Sequence, residues 1–262
     1  MVGDAIFDEY CYVTPMGMAA KEAIIACKAG RTETFEGGVW AAASHVEGFC
    51  GKVDIIHGQA TVKRRFVEET YTRKLFEIHD TARVPLRARD EVENYDLVIV
   101  TDFGHGFVSQ ELIEELTNTA RYLAVNAQTN SANRGFNLIT KYPRADYVVI
   151  DSLEARLAAQ DRDSRIEDVI EKLGFPKIAV TLGADGAVGY DGEFHYAKAR
   201  TRTVKDTMGA GDAFFCVTAP LAAVGADMQT LLEVGNAAGA VKCGQVGQKA
   251  VTKEALCRII EG

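Results

Sequence analysis

Short continuous runs of apolar residues alternate with amphipathic stretches along the second half of the chain. Four runs have the length of strands, namely Leu97–Val100, Tyr122–Val125, Tyr147–Ile150 and Lys177–Thr181. Between them, helical spacing of apolar positions predicts helices over Ser109–Thr119 and Ser164–Leu173. Strands that are apolar at nearly every position are buried on both faces, so the pattern predicts a mostly parallel sheet with helices on each side.

The first eighty residues have a different pattern. Ala23–Phe35 and Thr61–Ile78 are rich in β-forming residues, but their polar and apolar positions are mixed. Such segments are too polar for a central sheet and predict a second, more exposed β-sheet. Because no Pro/Gly/Ser-rich linker separates the halves, we expect residues 1–262 to form one domain.

Composition and charge narrow the function classes. The 262 residues are 47% hydrophobic and 25% charged, with a formal net charge of −8. This acidic balance argues against a nucleic acid or an anionic membrane surface as partner. No apolar run reaches the roughly 18 residues of a membrane helix. The six cysteines show no C-x-x-C pair, which is typical of reduced core residues and predicts a cytoplasmic protein.

Two glycines and a carboxylate precede an apolar, helix-like run, Ala213–Ala223. Free backbone N–H groups at Ala210, Gly211 and Asp212 would face an anion there, and the helix dipole would add positive charge. A carboxylate inside such an anion hole has a use as the acceptor of a proton from a hydroxyl that attacks phosphorus. From these residues alone, a glycine-rich turn capped by Asp212 is an equally common interpretation.

The stretch Asp206–Phe214 reads D-T-M-G-A-G-D-A-F and resembles the D-T-x-G-A-G-D-x-F signature of the ribokinase (phosphofructokinase B) family of sugar kinases. The resemblance implies that Asp212 is the general base and that Asp206 and Thr207 line the phosphate path. It implies an anion hole formed by the backbone amides of Gly209, Ala210, Gly211 and Asp212. It also implies an α/β fold whose central, mostly parallel sheet is flanked by helices, with a small β-sheet lid over the sugar. Here the lid would comprise roughly residues 10–36 and 61–80. ATP, Mg²⁺ and a homodimer paired through the lids are further implications.

The N-terminal residues resemble the sugar-binding parts of the same family. Gly3-Asp4 and Asp8 match a G-D-x-x-x-D strand end, which makes Asp8 the main sugar ligand and Asp4 a supporting one. Gly37 and Gly38 match a G-G-x-x-x-N pattern whose glycines let the backbone approach the sugar, although Ala42 stands where many members have Asn. Ordinary surface acids and a simple helix start are the alternative interpretations.

Two segments resemble heptose-phosphate kinases in particular. Thr61–Phe66 matches their T-x-K-x-R lid strand, and strand alternation places Lys63 and Arg65 on one face, where they would bind a phosphate already on the substrate. A solvated charged strand is the commoner outcome for such a run. Asp102 begins a segment that corresponds to D-Y-x-K-G, in which His105 replaces the Lys. The resemblance makes Asp102 a further substrate-binding candidate.

Weaker motifs match the nucleotide-binding and Mg²⁺-binding residues of the family. Asp151-Ser152-Leu153-Glu154 stands where the family has N-x-x-E, which implies that Asp151 assists the nucleotide phosphates and Glu154 the Mg²⁺, although a helix N-cap fits equally well. Thr181, Gly183 and Gly186 match a T-x-G-x-x-G nucleotide loop, and Asn236 would lie near the adenine.

Together these matches predict an ATP-dependent sugar kinase that resembles the D-glycero-D-manno-heptose-7-phosphate kinases. Two alternatives stay open. The acceptor is another sugar or a nucleoside, such as ribose or fructose, or the chain is a degenerate kinase fold that only binds a sugar or nucleotide.

Overall fold

A computed structural model describes residues 1–81, 92–130, 133–200, 204–245 and 249–261. The strands are β1 (Val2–Gly3), β2 (Ala5–Met18), β3 (Ile25–Gly38), β4 (Thr61–Glu68), β5 (Arg73–Asp80), β6 (Val98–Asp102), β7 (Leu123–Ala127), β8 (Tyr147–Asp151), β9 (Ile178–Thr181), β10 (Ala187–Tyr190) and β11 (Phe194–Ala197). The helices are α1 (Val39–Val46), α2 (Gln110–Thr119), α3 (Ser152–Ala159), α4 (Ile166–Leu173), α5 (Ala210–Ala223), α6 (Met228–Cys243) and α7 (Lys253–Glu261).

Seven strands form the main sheet, in the order β1-β6-β7-β8-β9-β10-β11. The first five are parallel, and the sheet is extended by two antiparallel pairings, of β10 with β9 and of β11 with β10. Strands β6 and β7 are buried at every position, as their apolar runs predict. The mostly parallel sheet is therefore confirmed, whereas the antiparallel pair β10–β11 was not predicted.

Helices cover both faces of this sheet. On one face, Leu112 of α2, Ala155 of α3 and Ile170 of α4 pack into a core with the strands. On the other face, Val46 of α1, Phe215 of α5 and residues of α6 form a second core. Both faces are thus shielded from water, which explains why the central strands tolerate so few polar residues.

The small sheet comprises four strands in the order β3-β2-β4-β5. Strand β2 runs parallel to β4 and antiparallel to β3, and it begins directly after Asp4 at the end of β1. A second sheet is therefore confirmed, but it starts at Ala5, earlier than the predicted lid segment. That difference arises because one nearly continuous strand passes from the main sheet into the small one.

Two further expectations concern compartment and membrane. All six cysteines lie in the described ranges, and none of them forms a disulfide. Among the described residues, every helix is too short or too polar to span a bilayer.

Candidate active site

A cavity of about 200 Å³ opens where the carboxyl ends of the parallel strands meet the N-terminus of α5. Its lining comes from four places in the chain and comprises Asn126, Gln128, Thr129, Val149, Ile150, Asp151, Glu154, Thr181, Gly209, Gly211 and Asp212. Ligands of open α/β sheets commonly bind at this edge. The structure therefore brings the predicted base, the predicted metal ligand and the start of the predicted nucleotide loop to one place.

The first turn of α5 has the geometry expected for an anion site. Gly209 caps the helix with a φ of 76°, a left-handed conformation that favours glycine. The Ala213 N–H donates to the Gly209 carbonyl at 2.9 Å, so the N–H groups of Gly211 and Asp212 precede the first intrahelical bond. The Ala210 N–H, in contrast, already donates to the Thr207 carbonyl at 3.3 Å. Two of the three predicted N–H donors are thus left for an anion.

The Asp212 carboxylate is held by a residue that the sequence analysis missed. The side-chain amide of Gln128 donates to Asp212 Oδ1 and, at 2.9 Å, to Asn126 Oδ1. Asn126 in turn donates to the Val149 carbonyl at 2.7 Å. Burial raises the pKa of Asp212, while the Gln128 hydrogen bond and the charge of Lys242 oppose that rise. The only available signal for Gln128 was its position just beyond a predicted buried strand.

Asp151 and Glu154 form a capping box at the start of α3. Asp151 Oδ1 accepts from the Glu154 N–H at 2.7 Å, and Glu154 Oε2 accepts from the Asp151 N–H at 2.9 Å. Glu154 Oε1 accepts from the Thr129 N–H at 2.8 Å. Burial raises the pKa of Glu154 to about 7, and the carboxylates of Asp151 and Asp212 act in the same direction. Asp151 is therefore the N-cap of α3, as the alternative interpretation has it, and Glu154 also lines the cavity.

The donor set around Glu154 fits a hydrated Mg²⁺ ion. Asp151, Glu154 and Asp212 line one cavity, and carboxylate oxygens are ligands that Mg²⁺ accepts. Within the described residues, no three acidic, His or Cys side chains converge closely enough to enclose an ion. Mg²⁺ usually keeps several waters and binds through one or two carboxylates and substrate phosphates. Glu154 is the residue that would hold it in this way.

The predicted nucleotide residues are partly engaged in protein contacts. Thr181 lines the cavity at the end of β9, and Gly183 is exposed beside it. Gly186 packs tightly against the end of β11. The Asn236 side-chain amide donates to the carbonyls of Ala197 and Lys198 at 2.9 and 3.2 Å. Asn236 therefore joins α6 to the end of β11, and its place beside an adenine stays a prediction.

Asp206 and Thr207 precede the helix as expected. Asp206 Oδ1 accepts from the Met208 N–H at 3.0 Å, which folds the segment into a tight turn. The N–H groups of Lys205 and Asp206 donate to the carbonyl of Cys243 at 2.8 and 3.3 Å. These bonds join the predicted phosphate path to the end of α6.

Two of the predicted substrate-binding carboxylates are buried and already accept hydrogen bonds from the protein. Asp4 is 2% exposed, and it accepts from the N–H groups of Phe103, His105 and Phe107 at 2.9, 3.3 and 3.2 Å. Burial and the neighbouring charge of Asp102 raise the pKa of Asp4 to about 6. With these three hydrogen bonds Asp4 positions the segment after β6, and its supporting contact with the sugar stays a prediction.

Asp102 is 1% exposed and equally engaged. Its carboxylate forms an ion pair with Lys141 and accepts from the Tyr142 hydroxyl at 2.7 Å and the Asn137 side chain at 3.1 Å. The sequence motif could not reveal these partners because all three lie on a later segment. Asp102 therefore supports the end of β6 from within, and its contact with the substrate stays a prediction.

The small sheet presents Asp8, Lys63 and Arg65 on one face. Asp8 pairs in register with Lys63, and Arg65 forms ion pairs with Asp8 and, at 3.3 Å, with Glu77. Burial lowers the pKa of Lys63, for which no ion pair occurs within the described ranges. Of the two predicted phosphate-binding cations, Arg65 is thus already neutralised by two carboxylates.

One residue on this face of the small sheet, Tyr10, lies within electrostatic range of Asp206 in the predicted phosphate path. Burial raises the pKa of Tyr10, two residues beyond Asp8, and the charges of Asp8 and Asp206 add to that rise. Gly37 and Gly38 end β3 at the base of the sheet. Gly38 has a φ of 62°, and a Cβ there would overlap the carbonyl oxygen of Asp4. Close backbone packing therefore already requires this glycine, whatever the ligand.

Comparison with known proteins gives one family match. The family described as pfkB family carbohydrate kinase matches residues 54–255. A curated relative, the bifunctional protein HldE of Rhodopseudomonas palustris (strain BisB18), is 32% identical over 175 residues, which are 62% of this chain and 34% of that protein. The first curated relatives all carry this name, and the chain spans about a third of their length.

Solved structures show the same fold over the whole chain. A ribokinase from Thermotoga maritima superposes with a TM-score of 0.77 at 18% identity, covering 100% of this chain and 98% of that one. An Arabidopsis thaliana ribokinase complexed with ribose and ATP gives a TM-score of 0.75 at 14% identity, covering 100% and 97%. The architecture is thus ribokinase-like, with the small sheet in addition to the main one.

Proposed function

The chain belongs to the pfkB family of carbohydrate kinases, and from that membership we propose that it transfers the γ-phosphoryl group of ATP to a hydroxyl group of a phosphorylated sugar. Heptose 7-phosphate is the first candidate acceptor. The observation that carries this proposal is the placement of Asp212. Its carboxylate lies in the first turn of α5, in the same cavity wall as Gly211 and Glu154, and Gln128 fixes its orientation.

Asp212 would act as the general base. Its Oδ1 is oriented by Gln128, so Oδ2 has room to accept the proton of the acceptor hydroxyl. Transfer of that proton makes the oxygen a better nucleophile toward phosphorus. The N–H groups of Gly211 and Asp212 then donate to the oxygens of the transferred phosphoryl group, where preformed donors need no reorganisation.

Glu154 would hold Mg²⁺ through its carboxylate and through water. When bound, Mg²⁺ supplies positive charge that balances the phosphates of ATP. The capping box fixes the Glu154 side chain from both sides by backbone N–H groups of Asp151 and Thr129. This rigidity suits a ligand that has to stay in place while the nucleotide exchanges.

The phosphorylated acceptor is supported by Lys63 and by the curated relatives. Lys63 is a partly buried cation on the inward face of the small sheet, beside Asp8 in register. A phosphate dianion would offset the cost of burying that ammonium, whereas a plain sugar offers only hydroxyl groups. Relatives named HldE match the chain over 57 to 64% of its length in the first three cases.

We also propose a homodimer and a cytoplasmic location. Phe76 and Ile78 lie on the face of β5 opposite to Glu77, and about half of each side chain is exposed. Exposed apolar positions on a small sheet are commonly covered by a second subunit. The unpaired state of the six cysteines fits a reducing compartment.

The test is a phosphotransfer assay with ATP and Mg²⁺ over a panel of sugars and sugar phosphates. We expect turnover with a sugar phosphate and little with its unphosphorylated parent. Asp212→Asn should lower kcat about 10²- to 10⁴-fold, as the loss of a general base does, while ATP binding persists. Asp163→Asn serves as the matched control because the Asp163 side chain is 94% exposed.

Three results would change the assignment. Equal turnover of unphosphorylated sugars would replace the phosphosugar proposal with a general hexose or ribose kinase. Turnover of a nucleoside alone would change the acceptor class. ATP binding without transfer to any acceptor would favour the degenerate fold.

A further inference from the structure

Lys242 occupies an unusual position for a lysine. It lies in the last turn of α6 and is 6% exposed. Within the described residues it is the one lysine or arginine that is buried. A buried ammonium is costly unless charges of opposite sign compensate for the lost water. The position therefore calls for a reason beyond packing.

The side chain passes directly behind the cap of α5. A Cβ placed on Gly209 would lie 3.0 Å from Lys242 Cε, 3.9 Å from Lys242 Nζ and 4.0 Å from Asp212 Oδ2. The ammonium and the predicted general base thus flank the same point in space. Gly209, whose backbone lies beside the ammonium, forms part of the cavity wall.

Two carboxylates and one imidazole lie within electrostatic range of Lys242. Burial lowers the pKa of Lys242, while the carboxylates of Asp206 and Asp212 favour its charged form. The imidazole is that of His45 of α1, which accepts from the Val251 N–H at 3.0 Å. Burial and the charge of Lys242 lower the pKa of His45 to about 4, so this imidazole is neutral near pH 7. The bonds from Lys205 and Asp206 to the Cys243 carbonyl fix the end of α6 beside the phosphate path.

The cavity itself is short of positive charge. Asp151, Glu154 and Asp212 line it, and its lining contains no lysine or arginine among the described residues. An incoming triphosphate would be repelled by these three carboxylates. From α5 it would find two backbone N–H donors, those of Gly211 and Asp212. The charge of Lys242 is close enough to reduce that repulsion, because fields are weakly screened in a buried site.

We infer that Lys242 is a positioning residue for phosphoryl transfer. Its ammonium, which lies beside the backbone of Gly209, makes the anion hole at the start of α5 positive enough to accept the γ-phosphoryl group. This inference rests on the proposed kinase function. It assigns the role to the charge of Lys242 and not to its volume.

The test compares Lys242→Met, which keeps the length and loses the charge, with Lys242→Arg, which keeps the charge. We expect Lys242→Met to lower kcat by about tenfold, less than the 10²- to 10³-fold typical of a directly contacting donor, with little change in the KM for the sugar. Its affinity for ATP should fall more than its affinity for ADP, because only ATP carries the γ-phosphate. Lys242→Arg should stay within about threefold of the wild type, since it retains the charge.

A second experiment remains informative if arginine does not fit the site. Lys242→Ala should regain activity when ethylammonium is added, but not when ethanol is added at the same concentration. Lys172→Met is the matched control, because Lys172 is an exposed lysine in the last turn of α4. Circular dichroism and thermal melting of every variant separate loss of fold from loss of charge.

The outcomes distinguish this inference from the proposed function. Wild-type kcat and an unchanged ATP-to-ADP affinity ratio in Lys242→Met would overturn the role of Lys242 and leave the kinase assignment intact. Equal loss in Lys242→Met and Lys242→Arg, without rescue by ethylammonium, would reduce Lys242 to a structural residue. If the wild type binds nucleotide but transfers nothing, the affinity ratio alone decides the inference. A wild type that binds no nucleotide would overturn both.

Discussion

The side-chain amide of Gln128 donates a hydrogen bond to the carboxylate of Asp212, a residue 84 positions later in the chain. The same amide donates to Asn126, so the end of β7 and the start of α5 are joined through one side chain. The bond favours the ionised form of Asp212 and opposes the effect of burial on its pKa. The reactivity of the predicted base is therefore set by a residue outside the signature motif.

Gln128→Met should impair the base without removing it. Methionine has a similar volume but no donor, so burial would raise the pKa of Asp212 without this opposing bond. Because hydrogen bonds to charged groups contribute about 1.5–3 kcal/mol, we expect the acidic limb of the kcat profile to move up by about one pH unit or more. A pH–rate profile measures this shift, with exposed Gln110→Met as control. An unmoved acidic limb would contradict the role of Gln128.

Glu154 should make stability depend on pH in a defined direction. The pKa of Glu154 rises from 4.5 to about 7 on folding, so the folded state binds this proton more tightly than the unfolded chain does. Ionising Glu154 therefore costs the folded state stability, a cost that is absent below about pH 4.5 and complete above about pH 7.

The measurement is the difference in the free energy of unfolding between Glu154→Gln and the wild type in Mg²⁺-free buffer. That difference should increase in favour of the variant from pH 5 to pH 8, by an amount on the order of 3 kcal/mol. A constant offset across this range would show that the carboxylate is not strained by burial. Mg²⁺ with ATP should stabilise the wild type and leave the variant unchanged.

Two neighbouring glycines should respond differently to alanine. Gly209 has a left-handed φ, and its added Cβ would press against Lys242 Cε at 3.0 Å, so Gly209→Ala should lose both stability and activity, with a backbone cost of about 1–2 kcal/mol. Gly211 is helical and its Cβ would meet no atom within 4 Å. Gly211→Ala should gain up to about 1 kcal/mol of stability and still lose activity, because its methyl group enters the cavity. Thermal melts and ATP titrations of both variants test this contrast, which equal behaviour would refute.

We expect different roles for Lys63 and Arg65, the first in binding the sugar phosphate and the second in stabilising the small sheet. Lys63→Met should raise the KM for the sugar phosphate by about tenfold or more, since a charge-assisted contact is lost, with little change in the KM for ATP. Arg65→Met leaves Asp8 and Glu77 without their cation and should mainly lower the Tm. The result that would refute the phosphate contact is a Lys63→Met enzyme with wild-type KM for the sugar phosphate.

The proposed homodimer should depend on the outer face of β5. Sedimentation of the wild type at micromolar concentration should show a dimer, and Phe76→Glu with Ile78→Glu should convert it to a monomer because charge is placed in an apolar contact. Phe136→Glu is the control, since Phe136 is 91% exposed and lies outside the small sheet. A wild type that sediments as a 28 kDa monomer would end the proposal.

Local signals predicted the main sheet well. The apolar runs that became β6, β7 and β8 are buried at nearly every position. A short run that is apolar throughout fits few structures other than a buried strand. The turn before α5 was equally visible, because two glycines and an acid stand in sequence. Strand β10 was not predicted, since its four residues include Gly189 and carry little periodicity.

The partners of the site residues could not be predicted in the same way. Asp4 and Asp102 appear as free acids in the sequence, and only the folded chain shows that residues near 105 and 140 enclose them. Gln128 and Lys242 belong to no recognisable motif. Each lies close to the start of α5 only because the folded chain brings distant segments together. Tertiary contacts of this kind decide which charges remain for a ligand.

The separation of the two sheets has a consequence for how such enzymes diversify. Asp8, Lys63 and Arg65 belong to strands of the small sheet, whereas Gln128, Glu154 and Asp212 belong to loops and helices of the main sheet. Mutations in one set therefore leave the hydrogen bonds of the other set intact. Under the proposed function, selection can therefore exchange the preferred acceptor on one sheet while the phosphoryl-transfer residues on the other stay unchanged. A chimaera with the β2–β5 strands of a relative should then inherit that relative's substrate preference.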